Sequence, residues 1–162
     1  MNYLDNFSWS IWVKTNFTGT VAQYIFTVGR VDAGGYGYGL ACASATNCRV
    51  HFGTSTWQVA VTGGEWTHLA FTKSGNTIKL YKNGTLYSTN TFSGTAPTYS
   101  DGNGVGIGCF HYSSNIYPYY GNISDFRIYA TALSDADVKD LYSTSASIAN
   151  NGSLSCYELV EI

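Results

Sequence analysis

The sequence predicts an all-β protein, a two-sheet antiparallel sandwich with one short helix near its C-terminal end. Three observations carry that expectation. Apolar and polar residues alternate with period two in segment after segment, the pattern of a half-buried strand. Each segment is short and bounded by Gly, Asn, Asp or Ser, a spacing that suits a sandwich better than a parallel sheet. Only one segment carries helix signals.

The strands follow in order. FSWSIWV (7–13) sets Phe7, Trp9, Ile11 and Val13 against Ser8, Ser10 and Trp12. AQYIFTVG, GYGLACA, CRVHFG and WQVAV continue in kind between residues 22 and 61. WTHLAFTK and NTIKLYK flank Ser74-Gly75-Asn76. Across that turn, Leu69 and Phe71 share a face with Ile78 and Leu80, while His68, Ala70, Lys79 and Tyr81 point the other way. Burial of the four apolar residues contributes about 1.5–3 kcal/mol each. Asn83-Gly84 signals a type I′ hairpin into TLYSTNTF, because both residue types tolerate positive φ. GVGIGCF and NISDFRIY close the series. The glycines of GGYGYG and DGNGVGIG read as strand positions of close backbone approach. They are not phosphate loops, since no helix follows them.

LSDADVKDLY (133–142) predicts a two-turn helix. Ser134 is the N-cap, with Asp137 in the place of the usual capping-box Glu, and Leu133 and Val138 form a hydrophobic staple. Asp135 and Asp137 also complement the positive helix start. The three carboxylates Asp135, Asp137 and Asp140 are therefore capping and solvated groups rather than a metal cluster. So short a helix must pack on the sheets to persist. Residues 143–152 read as a linker and 153–160 as a terminal strand within a single domain spanning 1–162.

Composition narrows the function. With 162 residues the chain is long enough to bury a core without staples. Only 11% of residues are charged, the formal net charge is −2, and Gly (18) and Tyr (14) are abundant. Such a surface is polar but nearly uncharged, and it suits neutral hydroxyl-rich partners such as sugars. It does not suit nucleic acid, which demands phosphate neutralisation. No apolar run reaches the ~20 residues of a membrane helix, so membrane insertion is not expected. Cys42 and Cys48 flank ASATN and face each other across a hairpin either as a disulfide or as two small apolar thiols; Cys109 and Cys156 complete the set, and the spacing fits no zinc site.

Three segments resemble the concanavalin A-like lectin/glucanase superfamily in its laminin-G-like branch. FSWSIWVK is similar to an early strand ending Trp-Val. GEWTHLAFTKSGNTIKLYKNG resembles the Trp-x-His-hydrophobic-Ala strand and its following hairpin, with Asn83 where Asp is usual and Lys82 where Val is usual. GNISDFRIYATALSDADVKDLY is similar to the closing strand and short helix. The resemblance implies a jelly roll that is non-catalytic and sugar-binding or adhesive. The tail from Asp125 to Ile162 also resembles the ends of such domains in bacteriophage structural proteins and large bacterial surface proteins, which implies a virion or extracellular setting. Family domains carry a strand before the FSWSIWV equivalent, where only MNYLDN stands here. SLSCYELV is expected to fill such an open edge, in its own chain or in a neighbour, since an unpaired edge invites association.

Catalysis is not expected. Retaining glucanases need two carboxylates about 5–5.5 Å apart on one face, and no Glu-x-Asp-x-Glu run is present. Glu65 sits in a tight turn, and Glu158 and Glu161 would face opposite ways on a strand. No nucleophile elbow appears, and His51, His68 and His111 form no spaced triad.

Binding is expected at loop aromatics, whose flat faces stack on sugar rings while neighbouring polar groups meet hydroxyls. FHYSSNIYPYYGN is the densest such loop. His111, Tyr112, Tyr117 and Tyr119 are its candidates, with Trp57 and Tyr36 elsewhere. Tyr120, before Gly121, matches an aromatic-Gly step of the family and reads as structural. The resemblance also implies calcium at the loop rim, for which Asp32, Asp101 and Asn103 are candidate ligands. The expected function is a non-catalytic module that binds a glycan or a cell-surface polysaccharide. The alternative is a ligand-free building block of a homo-oligomer or larger assembly.

Overall fold

The computed structural model describes residues 5–17, 19, 21–31, 37–99, 104–112, 115–149 and 157–159. Two compact units emerge, each built on one antiparallel sheet: residues 1–14, 65–93 and 122–153, and residues 15–64, 94–121 and 154–162.

The first unit is a five-stranded sheet with the helix. Its strands are β1 (Asn6–Lys14), β6 (Trp66–Ser74), β7 (Thr77–Lys82), β8 (Thr85–Thr91) and β12 (Asn122–Tyr129), in the order β12-β1-β6-β7-β8. One face carries Phe7, Trp9, Ile11, Leu69, Phe71, Ile78 and Leu80, each no more than 1% exposed. Trp9 stacks on Phe71 at 5.7 Å between centroids. The opposite face is also covered, which departs from the half-buried strand expected of FSWSIWV. Ser8 and Ser10 are both buried, and the chain after β12 crosses over Ser8. Ser8 Oγ donates to the Thr131 carbonyl and accepts from the Leu133 amide, both at 2.8 Å.

Helix α1 (Asp135–Ala149) meets the mixed face of His68, Ala70, Lys79 and Tyr81. Val138 packs with Ala70 and Tyr81 in one buried cluster, joined by Leu133. Tyr142 stacks on Trp12, and Trp12 Nε1 donates to Ser145 Oγ at 2.8 Å. The cap forms as expected: Asp137 Oδ2 accepts from the Ser134 amide at 2.8 Å, and the Asp137 amide donates to Ser134 Oγ at 3.2 Å. The helix is, however, twice the expected length, and residues 143–149 are helical rather than linker. Their hydroxyls would favour irregular chain, but Ser143 and Thr144 donate back to the carbonyls of Lys139 and Asp140, and Ser145 to that of Leu141. The bond from Trp12 to Ser145 ties that last stretch to the sheet.

The second unit is a six-stranded sheet with a hairpin on it. Its strands are β2 (Gln23–Val28), β3 (Tyr38–Ser44), β4 (Asn47–Phe52), β5 (Ser55–Ala60), β9 (Val105–Ile107) and β13 (Tyr157–Leu159), in the order β13-β9-β2-β3-β4-β5. The expected terminal strand thus forms over 157–159 and pairs with β9 in its own chain. Close approach explains two of its strand glycines. A Cβ on Gly39 would lie 2.4 Å from the Phe26 carbonyl oxygen, and one on Gly106 2.4 Å from that of Cys109. Cys42 and Cys48 are directly opposed on β3 and β4, and both are free, buried thiols with their sulfurs 3.1 Å apart. The hairpin consists of β10 (Cys109–Tyr112) and β11 (Asn115–Pro118).

Candidate functional site

The aromatic loop singled out in the sequence is this β10–β11 hairpin. Gly108, with φ of 75°, turns the chain out of β9 into it. The Gly108 amide donates to the Ile25 carbonyl at 2.7 Å, and its carbonyl accepts from the Tyr119 amide at 2.8 Å. The hairpin base is thereby pinned to β2. Across it, Phe110 and Tyr117 are opposed and stacked at 6.1 Å. Both rest on Tyr24 of β2, at 4.8 Å and 6.1 Å between centroids, and Val31 and Ala41 complete the buried cluster.

Where this hairpin meets the start of β2, a cleft of about 460 Å³ opens. Gly19, Val21, Ala22 and Gln23 line one side, and Ile116, Tyr117, Pro118 and Tyr120 the other. Val21, Ile116 and Tyr120 are 59%, 59% and 62% exposed. Gln23 is buried, and its Oε1 accepts from the Tyr120 amide at 3.3 Å. That bond orients the carboxamide and leaves its N–H groups as donors. The cleft therefore offers two phenol rings, an apolar rim and one amide. That is equipment for holding a flat, hydroxyl-bearing molecule.

The expected site residues divide. Tyr117 lines the cleft. Its neighbour Tyr119 does not: it is buried, and burial together with the nearby Cys42 and Cys48 thiols pushes its phenol up. Tyr120, read from sequence as structural, is the exposed one. Adjacent residues in extended chain point to opposite sides, so only one of the pair can face the cleft. The expectation chose Tyr119 over Tyr120, and the structure buries the first and exposes the second; the family step gives no sign of which side is covered. His111 and Tyr112 lie on β10 of the same hairpin. Trp57 lies elsewhere, half-buried on the sheet's last strand β5, where it is paired with Val50. Tyr36, and the candidate calcium ligands Asp32, Asp101 and Asn103, lie outside the described residues. Gln23 is the site residue that sequence reading missed, since its only signal was a polar residue opening a strand.

A second cleft, of about 500 Å³, lies beside the helix start and is lined in part by Thr72, Lys79, Leu133 and Asp135. It is spanned by structural bonds. Asp135 Oδ1 accepts from Lys79 Nζ at 2.7 Å and from the Tyr81 hydroxyl at 2.8 Å. Those two bonds hold the Asp135 carboxyl below its usual range. Two bonds to Ser134 do the same for Asp137. Asp125 is paired with Arg127. Among the described residues no three His, Cys, Asp or Glu side chains gather as a metal site, and no helix is long and apolar enough to cross a membrane.

Comparison with known proteins places the fold. No curated protein sequence matches the chain. Among solved structures, a candidate carbohydrate-binding protein from Bacteroides ovatus aligns over 83% of this chain at 16% identity and a TM-score of 0.67; the chain spans 40% of that protein. Domain 4 of an extracellular arabinanase from Geobacillus stearothermophilus, solved with arabinotriose, aligns over 85% at 23% identity and 0.62, and the chain spans 66% of it. The CBM40 domain of Ruminococcus gnavus IT-sialidase, bound to α2,3-sialyllactose, aligns over 85% at 17% identity and 0.67, with 83% of that chain covered. These likenesses show the fold, an all-β two-sheet jelly-roll sandwich. A family model, Laminin_G_3, matches residues 1–139, most of the sequence. The chain belongs to the laminin-G-like branch of the concanavalin A-like lectin/glucanases superfamily.

Proposed function

We propose that the protein is a non-catalytic carbohydrate-binding module and that the cleft beside the β10–β11 hairpin is its binding site. The observation that carries the reading is the pair Tyr117 and Tyr120 at one cleft, with the Gln23 amide beside them. Tyr117 is stiffened from behind by Phe110 and Tyr24, so little ordering is needed when a ring settles on it. Tyr120 stands free of the core. Similar folds solved with arabinotriose and sialyllactose support the assignment to sugars. Of the carboxylates that the structure describes, Asp125, Asp135 and Asp137 are committed to Arg127, to Lys79 and Tyr81, and to the helix cap, which supports the non-catalytic reading.

The test is Tyr120→Ala. Its side chain holds no part of the core, so the melting temperature should stay within about 1 °C of the parent. Affinity for the oligosaccharide found on a glycan array should fall about tenfold or more, equivalent to about 1.4 kcal/mol. Retention of full affinity would remove the cleft from the reading. Release of reducing ends from the bound polysaccharide would overturn the non-catalytic assignment.

We place the module on a virion or an extracellular surface, on the likeness of residues 125–162 to the ends of such domains. Detection in the cytosol alone would contradict this. Calcium is proposed at the rim through Asp32, Asp101 and Asn103, and an unchanged melting temperature with calcium and with EDTA would end that proposal.

A further inference from the structure

We infer that the ligand of this cleft is a neutral saccharide, one without carboxylate, sulfate or phosphate. The inference rests on the binding-module reading and specifies the chemistry of the same site.

The described residues that line the cleft include no charged side chain. The two chain segments that supply them, 15–23 (TNFTGTVAQ) and 111–121 (HYSSNIYPYYG), contain no Asp, Glu, Lys or Arg. An acidic sugar brings a carboxylate that loses water on entering an apolar cleft. Without a cation to replace that water, the loss opposes binding. A neutral sugar brings only hydroxyls, each both donor and acceptor. They match the Gln23 carboxamide and the Tyr117 and Tyr120 phenols, which are likewise uncharged donors and acceptors. The axial hydrogens of a neutral pyranose or furanose form a flat apolar patch, and Val21, Ile116 and Pro118 extend the tyrosine rings as a surface for it. The CBM40 domain of similar fold was solved with an anionic sugar. This cleft departs from that chemistry.

The test titrates the full chain calorimetrically with matched sugars at 20 and 300 mM NaCl. The probes are arabinotriose, cellohexaose, mannohexaose and lactose as neutral members, and 3′-sialyllactose and hexagalacturonate as acidic ones. The expected result is a neutral member whose affinity changes less than about twofold with salt, as uncharged contacts are not screened. That affinity falls tenfold in Tyr120→Ala, and 3′-sialyllactose binds no better than lactose. Val21→Lys, which sets a cation on the exposed rim, should raise the affinity for an acidic member at low salt. Preference for an acidic sugar, with binding still lost in Tyr120→Ala, would overturn neutrality and leave the binding-module reading standing. Binding indifferent to Tyr120→Ala, or none by any of the six sugars, would overturn both.

Discussion

An imidazole buried against two aromatic rings, with no bond to its Nδ1 from any described group, resists protonation. His68 is that group: it is 1% exposed, 5.4 Å from the Trp12 ring and 5.9 Å from that of Tyr142. Burial pushes its pKa down to about 4, partly offset by Asp125 and reinforced by Arg127. The unfolded chain takes this proton near pH 6.5, so stability should fall as pH drops from about 6.5 to about 4, by about 3 kcal/mol. The bonded carboxyls of Asp135 and Asp137 sit low, and their contribution is likewise lost on acidification. His68→Leu should flatten the upper part of this dependence, read as melting temperature against pH. An unchanged slope between pH 6 and 4.5 would show that the imidazole is not its source. Gly84 is a second residue-scale constraint. Its φ is 73°, and a Cβ there would lie 2.9 Å from the Tyr142 ring. Gly84→Ala should cost at least about 1 kcal/mol in denaturant unfolding. The backbone half of that argument was legible in Asn83-Gly84 as a turn; the contact with Tyr142 was not, because it joins residues far apart in sequence.

At the scale of elements, helix α1 shows what local signals reach. Its start was legible to the residue, since a capping box uses only groups three positions apart. Ser134→Ala should remove that box and lower stability by about 1 kcal/mol. Its end was not legible, because STSAS favours turns until its hydroxyls bond inside the helix and Ser145 accepts from Trp12. Ser145→Ala would leave the buried Trp12 N–H without that acceptor, at a cost of about 1–3 kcal/mol, and should increase hydrogen exchange in the last two turns of the helix. Exchange already fast in the parent over 143–149 would contradict the extended helix. The hairpin of β10 and β11 behaves in the same way. The sequence marks it as a loop rich in aromatics, whereas the structure folds it into two strands, and its role as a cleft wall depends on Tyr24, which lies on another strand.

At the scale of the whole molecule, the low charge has a consequence for stability. With 11% of residues charged, and with the Lys79–Asp135 pair partly solvated, little of the folding free energy is Coulombic. The melting temperature at neutral pH should therefore differ by no more than about 2 °C between 0.05 and 0.5 M NaCl. A large salt dependence would show that ion pairs carry more of the stability than this. What the sequence by itself determined is everything that repeats at short range: the period-two strands, the turn residues, the helix cap, the charge-free segments and the family pattern they compose. Only the tertiary structure decided which side of each element is covered. It buried Tyr119 and exposed Tyr120, put a helix over His68, and brought Gln23 to Tyr120, 97 residues later. The physical reason is that side-chain direction follows local geometry, whereas burial depends on which distant segment arrives to exclude water.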